Sequence, residues 1–128
     1  MTDRRLFACG AALAGTAVAA GAFGAHGLEG RLAPDLLEVF ATAARYQLIH
    51  GVGLLAVALA AARWPSAGLE LGGWLLVAGI TAFAGSLYAL ALTGQRWLGA
   101  ITPCGGALLI AGWAVLAWRV ARPRSDAG

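Results

Sequence analysis

Charged residues are confined to short stretches of this chain, and the apolar intervals between them set its architecture. From Leu6 to Ala25 about 20 residues carry no charge, enough at 1.5 Å per residue to cross a hydrocarbon core of roughly 30 Å as a helix. The run ends in GAFGAHGLEGRL (21–32), where a His, an acid and an Arg are separated by glycines. Gly27 and Gly30 stop the helix, and Pro34 suits the first turn of the next one. From Asp35 to Arg45 the polar residues Asp35, Glu38, Thr42 and Arg45 recur at three, four and three, while Leu36, Leu37, Phe40 and Ala44 take the other side. That spacing predicts an amphipathic helix over about 34–45 lying in the membrane interface. Tyr46 to Ala62 carries no formal charge with neutral His and, with the end of that helix, forms a second span over about 44–62. Arg63, Trp64 and Pro65 stop it. A third span covers 71–92, Thr93 to Trp97 is a turn, and a fourth span covers 98–118, interrupted near its start by Pro103 and Gly105-Gly106. The fold class is therefore all-α: a single four-helix transmembrane domain over residues 1–128, with the amphipathic helix between the first two spans.

Small residues mark the faces on which these helices meet. Gly10, Ala14, Ala17, Gly21 and Gly24 fall at four, three, four and three along the first span, and Ala78, Ala82, Gly85 and Ala89 form a second stripe on the third. Such stripes let helices approach closely where lipid supplies no hydrophobic drive. A shift of 64 positions aligns Ala14, Gly15, Ala20, Gly21, Ala25, Leu28 and Gly30 with Ala78, Gly79, Ala84, Gly85, Ala89, Leu92 and Gly94, which is either a repeated hairpin or chance matching in a chain rich in Ala and Gly. Arg4-Arg5 followed by an Ala-rich run also has the outline of a signal peptide, but with no soluble domain to export we read the first span as retained.

Composition agrees with the pattern: 60% of residues are hydrophobic, 12% are charged, and the mean hydropathy is +0.77. A soluble domain has about a quarter of its residues charged. The net charge of +3 comes from isolated or segment-end arginines, without a basic stripe, so nucleic acid is excluded as a partner. With four spans both termini share one side. That side carries six arginines (Arg4, Arg5, Arg63, Arg119, Arg122, Arg124) against three (Arg31, Arg45, Arg96) on the other. The positive-inside rule then makes both termini cytoplasmic, with Trp64 and Trp118 at the inner interface and Trp97 at the outer.

On this topology the intramembrane polar residues gather in the outer third. His26 ends the first span, Arg45, Tyr46, Gln47 and His50 open the second, Tyr88 closes the third, and Thr102 and Cys104 begin the fourth. Polar groups in hydrocarbon are costly and face a protein interior or a wet cavity, so His26, Arg45, Tyr46, His50, Tyr88 and Arg96 are the candidate binding residues of an outer-leaflet site. Tyr46 and His50 are four apart and share a helix face. Neither His-x-x-x-His nor Cys-x-x-Cys occurs, and a Cys in an apolar helix is normally a small hydrophobe, so no metal, cofactor or catalytic residue is assigned. The glycines around His26 follow no strand and lack a Gly-Lys-Ser or Gly-Lys-Thr end, which excludes a nucleotide loop.

GAFGAHGLEGRL, ARYQLIHG, AGSLYALALTG and RWLGAITPCGG together resemble the successive motifs of the small membrane family known as domain of unknown function 423, which includes YgdD-like and transmembrane protein 256-like members. The resemblance runs from about Leu6 to Trp118. It implies four transmembrane helices in a bacterial plasma (inner) membrane, no established activity, and a variable, often apolar residue at the position of Cys104. Our leading functional reading is a non-enzymatic component: an accessory subunit of a membrane protein partner, or a binder of a small amphiphile in the bilayer. The rival reading is a small transporter or channel component acting as a homo-oligomer.

The topology is checked by single-Cys labelling of intact cells in a background lacking Cys9 and Cys104. Probes at positions 29 and 95 are expected to react with an impermeant reagent, and reaction at 66 and 125 instead would reverse the orientation.

Overall fold

A computed structural model describes residues 2–122; Arg124 and Ser125, used in the charge count and the labelling test, lie outside them. The described chain is all-α, with four helices long and apolar enough to cross a membrane. They are α1 (Thr2–His26), α2 (Pro34–Arg63), α3 (Ala67–Thr93) and α4 (Thr102–Ala121), with a 3-10 turn at Arg96–Ala100 before α4. The breaks follow from local chemistry. The Gly27 N–H closes α1 on the Phe23 carbonyl at 2.7 Å, and Pro34 stands where its missing N–H costs nothing. The Ser66 hydroxyl caps α3 by accepting from the Leu69 N–H at 3.2 Å. Gly94, at φ 71°, ends α3 in the left-handed region that glycine adopts without strain.

Two expectations change. The amphipathic segment is not a separate element: residues 34–45 are the first third of α2, a single helix of 30 residues. No Gly or Pro lies between Pro34 and Gly51, and nothing else there would break the backbone ladder. Its apolar side packs on the neighbouring helices, with Phe40 and Ala44 buried and Asp35 and Glu38 exposed. Likewise Pro103 does not interrupt the fourth span but begins α4, in the first turn where proline is tolerated.

The helices pack in chain order, α1 on α2, α2 on α3 and α3 on α4, while α1 reaches α3 only slightly. Consequently α2 and α3 form the middle of the molecule. The interior is filled by Leu6, Leu54, Leu76 and Ile80, all fully buried. A smaller cluster closes the end at which α1 stops and α2 starts, here called the upper end. There Leu28 folds back from the loop onto Phe40 and Ala91. Most of the large exposed side chains, among them Val18, Phe23, Ile49, Val52, Leu59, Leu71 and Ile110, are apolar and face outward, as lipid contact requires.

The first small-residue stripe does what its spacing implies. A Cβ on Gly51 would lie 2.6 Å from the Ala14 backbone nitrogen, and one on Gly10 would lie 2.7 Å from the Gly51 carbonyl oxygen. The second stripe does not: Ala78 and Gly85 are exposed, and a Cβ on Gly85 would meet nothing within 4 Å. The close face of α3 is offset from it, with Gly72 and Gly79 against Leu116 and Leu109 of α4. The residues aligned by the 64-position shift agree in part: Gly21 and Gly85 both face open space and Gly30 and Gly94 both have positive φ, whereas Leu28 is buried and Leu92 exposed.

Gly51→Ala is expected to destabilise the protein by about 1–3 kcal/mol, because the new methyl meets backbone rather than a movable side chain. Gly15→Ala, where space is open, is expected to be neutral or to stabilise by up to about 1 kcal/mol through helix propensity. Thermal unfolding of both variants in one detergent checks the contrast.

Candidate functional site

Contacts between helices fix the depth of each candidate residue. Gly24 meets Phe40 at the upper end, and Ala14, near the centre of the 6–25 apolar run, meets Gly51. His50 therefore stands level with the middle of the α1 apolar run. Arg45 lies roughly 8 Å below the Phe40 level at 1.5 Å per residue.

The six candidates do not surround one cavity. His26 ends α1 and is exposed. Arg96 lies at the rim, where one guanidinium nitrogen reaches the Asp35 carboxylate at 3.1 Å, both side chains being largely in solvent. The pair joins the α3–α4 connection to the start of α2, and salt screens it.

Tyr88 is anchored by a residue absent from the candidate set. Its hydroxyl donates to Gln47 Oε1 at 2.6 Å, and Gln47 Nε2 donates to the Leu13 carbonyl at 3.0 Å and to Thr16 Oγ1 at 2.8 Å. The Thr16 hydroxyl in turn donates to the Ala12 carbonyl at 2.7 Å. One carboxamide thus ties α1, α2 and α3 together, and the Phe40 ring packs edge-on against Tyr88 with centroids 4.9 Å apart. The only sequence signal for the network was that Gln47 is a polar residue in hydrocarbon next to Tyr46, and such a group needs partners on every valence.

His50 performs a similar task one turn lower. The indole N–H of Trp113 donates to His50 Nε2 at 3.1 Å, and indole is a donor only, so that nitrogen carries a lone pair. The proton therefore sits on Nδ1, which donates to the Tyr46 carbonyl at 2.8 Å. Both ring nitrogens are committed, which makes His50 a link between α2 and α4. Tyr46 stacks on His50 with an interplanar angle of 11° and lies against Phe83. Ser86 and Thr102 share a hydrogen bond of 2.7 Å and join α3 to α4.

Arg45 differs from all of these. It is exposed, and no hydrogen bond or ion pair involves it among the described residues. It stands on the wall of a groove of about 620 Å³ between α1 and α2, lined otherwise by apolar or small residues including Ala17, Gly21, Gly24, Phe40 and Leu48. Gly21 leaves that space open, since a Cβ there would meet nothing within 4 Å. Side chains on a helix lean toward its N-terminus, so Arg45 leans along the groove toward the upper end. Among the described residues, no three of the metal-binding types come together.

The Tyr88–Gln47 bond is expected to show a coupling of about 0.6–1.7 kcal/mol in a double-mutant cycle of Gln47→Leu and Tyr88→Phe, the range for hydrogen bonds between membrane helices. Additive melting data for the two variants would remove the bond from the account of stability.

Comparison with known proteins sets these features in a family. Over 79 residues the chain is 52% identical to a UPF0382 membrane protein of Staphylococcus epidermidis, a match covering 62% of this chain and 64% of the relative. It is 47% identical over 73 residues to the UPF0382 membrane protein YwdK of Bacillus subtilis, covering 56% and 59%. A UPF0382 membrane protein of Staphylococcus aureus is 47% identical over 79 residues, covering 62% and 64%. The matched segments span less than two thirds of each of these relatives. No solved structure matches the chain. The model of the family described as protein of unknown function (DUF423) matches residues 20–106, which include Arg45, Gln47, His50 and Tyr88 but not Leu13, Thr16 or Trp113, and the chain belongs to that family.

Proposed function

We propose that this chain is a non-enzymatic membrane component that holds an anionic amphiphile in the groove between α1 and α2. The observation that carries the reading is Arg45, an exposed guanidinium without a partner among the described residues, set into an apolar wall. A charge at that depth is costly unless something meets it. The groove volume falls in the range of small-molecule sites. An amphiphile satisfies both surfaces at once, its phosphate or carboxylate on Arg45 and its chain against Val18, Ala41 and Leu48.

The other candidates take supporting parts in this reading. His26 follows the groove-lining Ala25 and stands at the mouth of the groove, and the Arg96–Asp35 pair steadies the start of α2. Tyr46, His50 and Tyr88 keep α2 in register with α3 and α4, so the groove holds its shape. The arginine distribution supports an outer-leaflet position for the groove in a bacterial inner membrane, with both termini in the cytoplasm.

The test is the amphiphile that co-purifies in mild detergent, measured by mass spectrometry. Arg45→Gln is expected to cut retention by roughly fivefold, the worth of one arginine at a membrane surface, without lowering the melting temperature. Leu54→Ala, a cavity in the core, is expected to cost about 2–5 kcal/mol of stability and to keep the amphiphile. Retention unchanged in Arg45→Gln would end the proposal.

A further inference from the structure

The lower end of the molecule carries a second cavity, of different character and unconnected to the groove. It lies between the start of α3 and the last turn of α4, has a volume of about 250 Å³, and includes Ser66, Leu69, Arg119 and Arg122 in its lining. Gly68 shapes it: the Cγ, Cδ and Nε atoms of Arg119 occupy the place that a Cβ on Gly68 would take. The arginine stem therefore lies directly on the α3 backbone. Arg122 is held differently, its guanidinium carbon 4.4 Å from the centroid of the Trp118 ring.

Neither guanidinium has an acidic partner among the described residues. Glu70, in the first turn of α3, is exposed and does not line the cavity; Asp126, the nearest acid along the chain, lies outside the described residues. Ser66 Oγ accepts from the Leu69 N–H, which leaves its hydroxyl proton free to donate. Trp64 and Trp118 are exposed at the same level, 51% and 58%, as aromatic side chains are at the boundary between headgroups and acyl chains.

We propose that this cavity is a binding site for the phosphate of an anionic phospholipid, with Arg119 and Arg122 as the ligating cations. Guanidinium groups present paired donors that match phosphate oxygens, and basic pockets between transmembrane helices hold acidic headgroups. The flanking Trp64 and Val120 are large, exposed hydrophobic side chains, a surface that suits acyl chains, so the source of the phosphate is a lipid rather than a solute.

The experiment measures lipid binding to the full chain in zwitterionic nanodiscs titrated with phosphatidylglycerol. Arg119→Gln/Arg122→Gln is expected to weaken binding by about twenty- to thirtyfold, roughly fivefold or slightly more for each arginine. Gly68→Ala keeps every charge but displaces the Arg119 stem, and binding is expected to fall with it. Arg4→Gln/Arg5→Gln removes the same charge from the same end outside the cavity and is expected to leave binding nearly unchanged. An equal loss in that control would reduce the effect to surface charge and overturn the site. Inorganic phosphate alone raising the melting temperature as much as the lipid does would overturn the lipid assignment. Failure here leaves the Arg45 groove untouched, because the two sites share no residue.

Discussion

The Gln47 network, which ties three of the four long helices together, depends on how closely two backbones approach. At Gly10, Ala14 and Gly51 there is no side chain large enough to hold α1 and α2 apart, and dispersion contacts between bare backbones replace the hydrophobic drive that lipid does not supply. That approach brings the Leu13 carbonyl and the Thr16 hydroxyl within reach of the Gln47 carboxamide. With its nitrogen satisfied, Gln47 offers its oxygen to Tyr88 and so fixes α3. Were the helices farther apart, the same carboxamide would be a polar group in hydrocarbon with half of its bonds unmade, a cost of several kcal/mol. The glycines and the glutamine are thus one device.

The same logic separates the groove from the packed faces. Where α1 carries Gly10 and Ala14 opposite Gly51, the two helices touch. Farther up, Gly21 and Ala22 face outward beside Ala41 and Arg45, and the small side chains leave space instead of contact. A single stripe of small residues therefore has two consequences along its length. At the other end of the molecule Gly68 does a third thing, receiving an arginine stem from α4.

Four apolar helices and the turns between them were legible in the sequence because charge and glycine mark their ends, as Arg63-Trp64-Pro65 and Gly94 show. The continuity of α2 was less so. Amphipathic spacing from Asp35 to Arg45 reports which side is wet, and it is silent on whether the helix axis bends. Depth was the larger difficulty. The position of His50 is set by what stands beside it on α1, a property of the helix pair that no single segment encodes. Thr16 and Trp113 went unrecognised, and Gln47 stayed outside the candidate set, for a related reason: their bonds cross between helices 31 to 63 positions apart. The α3 stripe misled because alanine and glycine are abundant enough to fall at helical spacing on a face that packs on nothing.

The link between His50 and Trp113 also orders the events of biosynthesis. The ribosome completes α2 long before it reaches the indole 63 residues downstream, an interval of roughly 3–13 s at ordinary elongation rates. Gln47, by contrast, finds Leu13 and Thr16 already made. The nascent chain thus has a hairpin of α1 and α2 that can settle at once, followed by a period in which one imidazole nitrogen on α2 has no protein partner. The α1–α2 hairpin is thus closed by bonds within itself, whereas the link from His50 waits for α4.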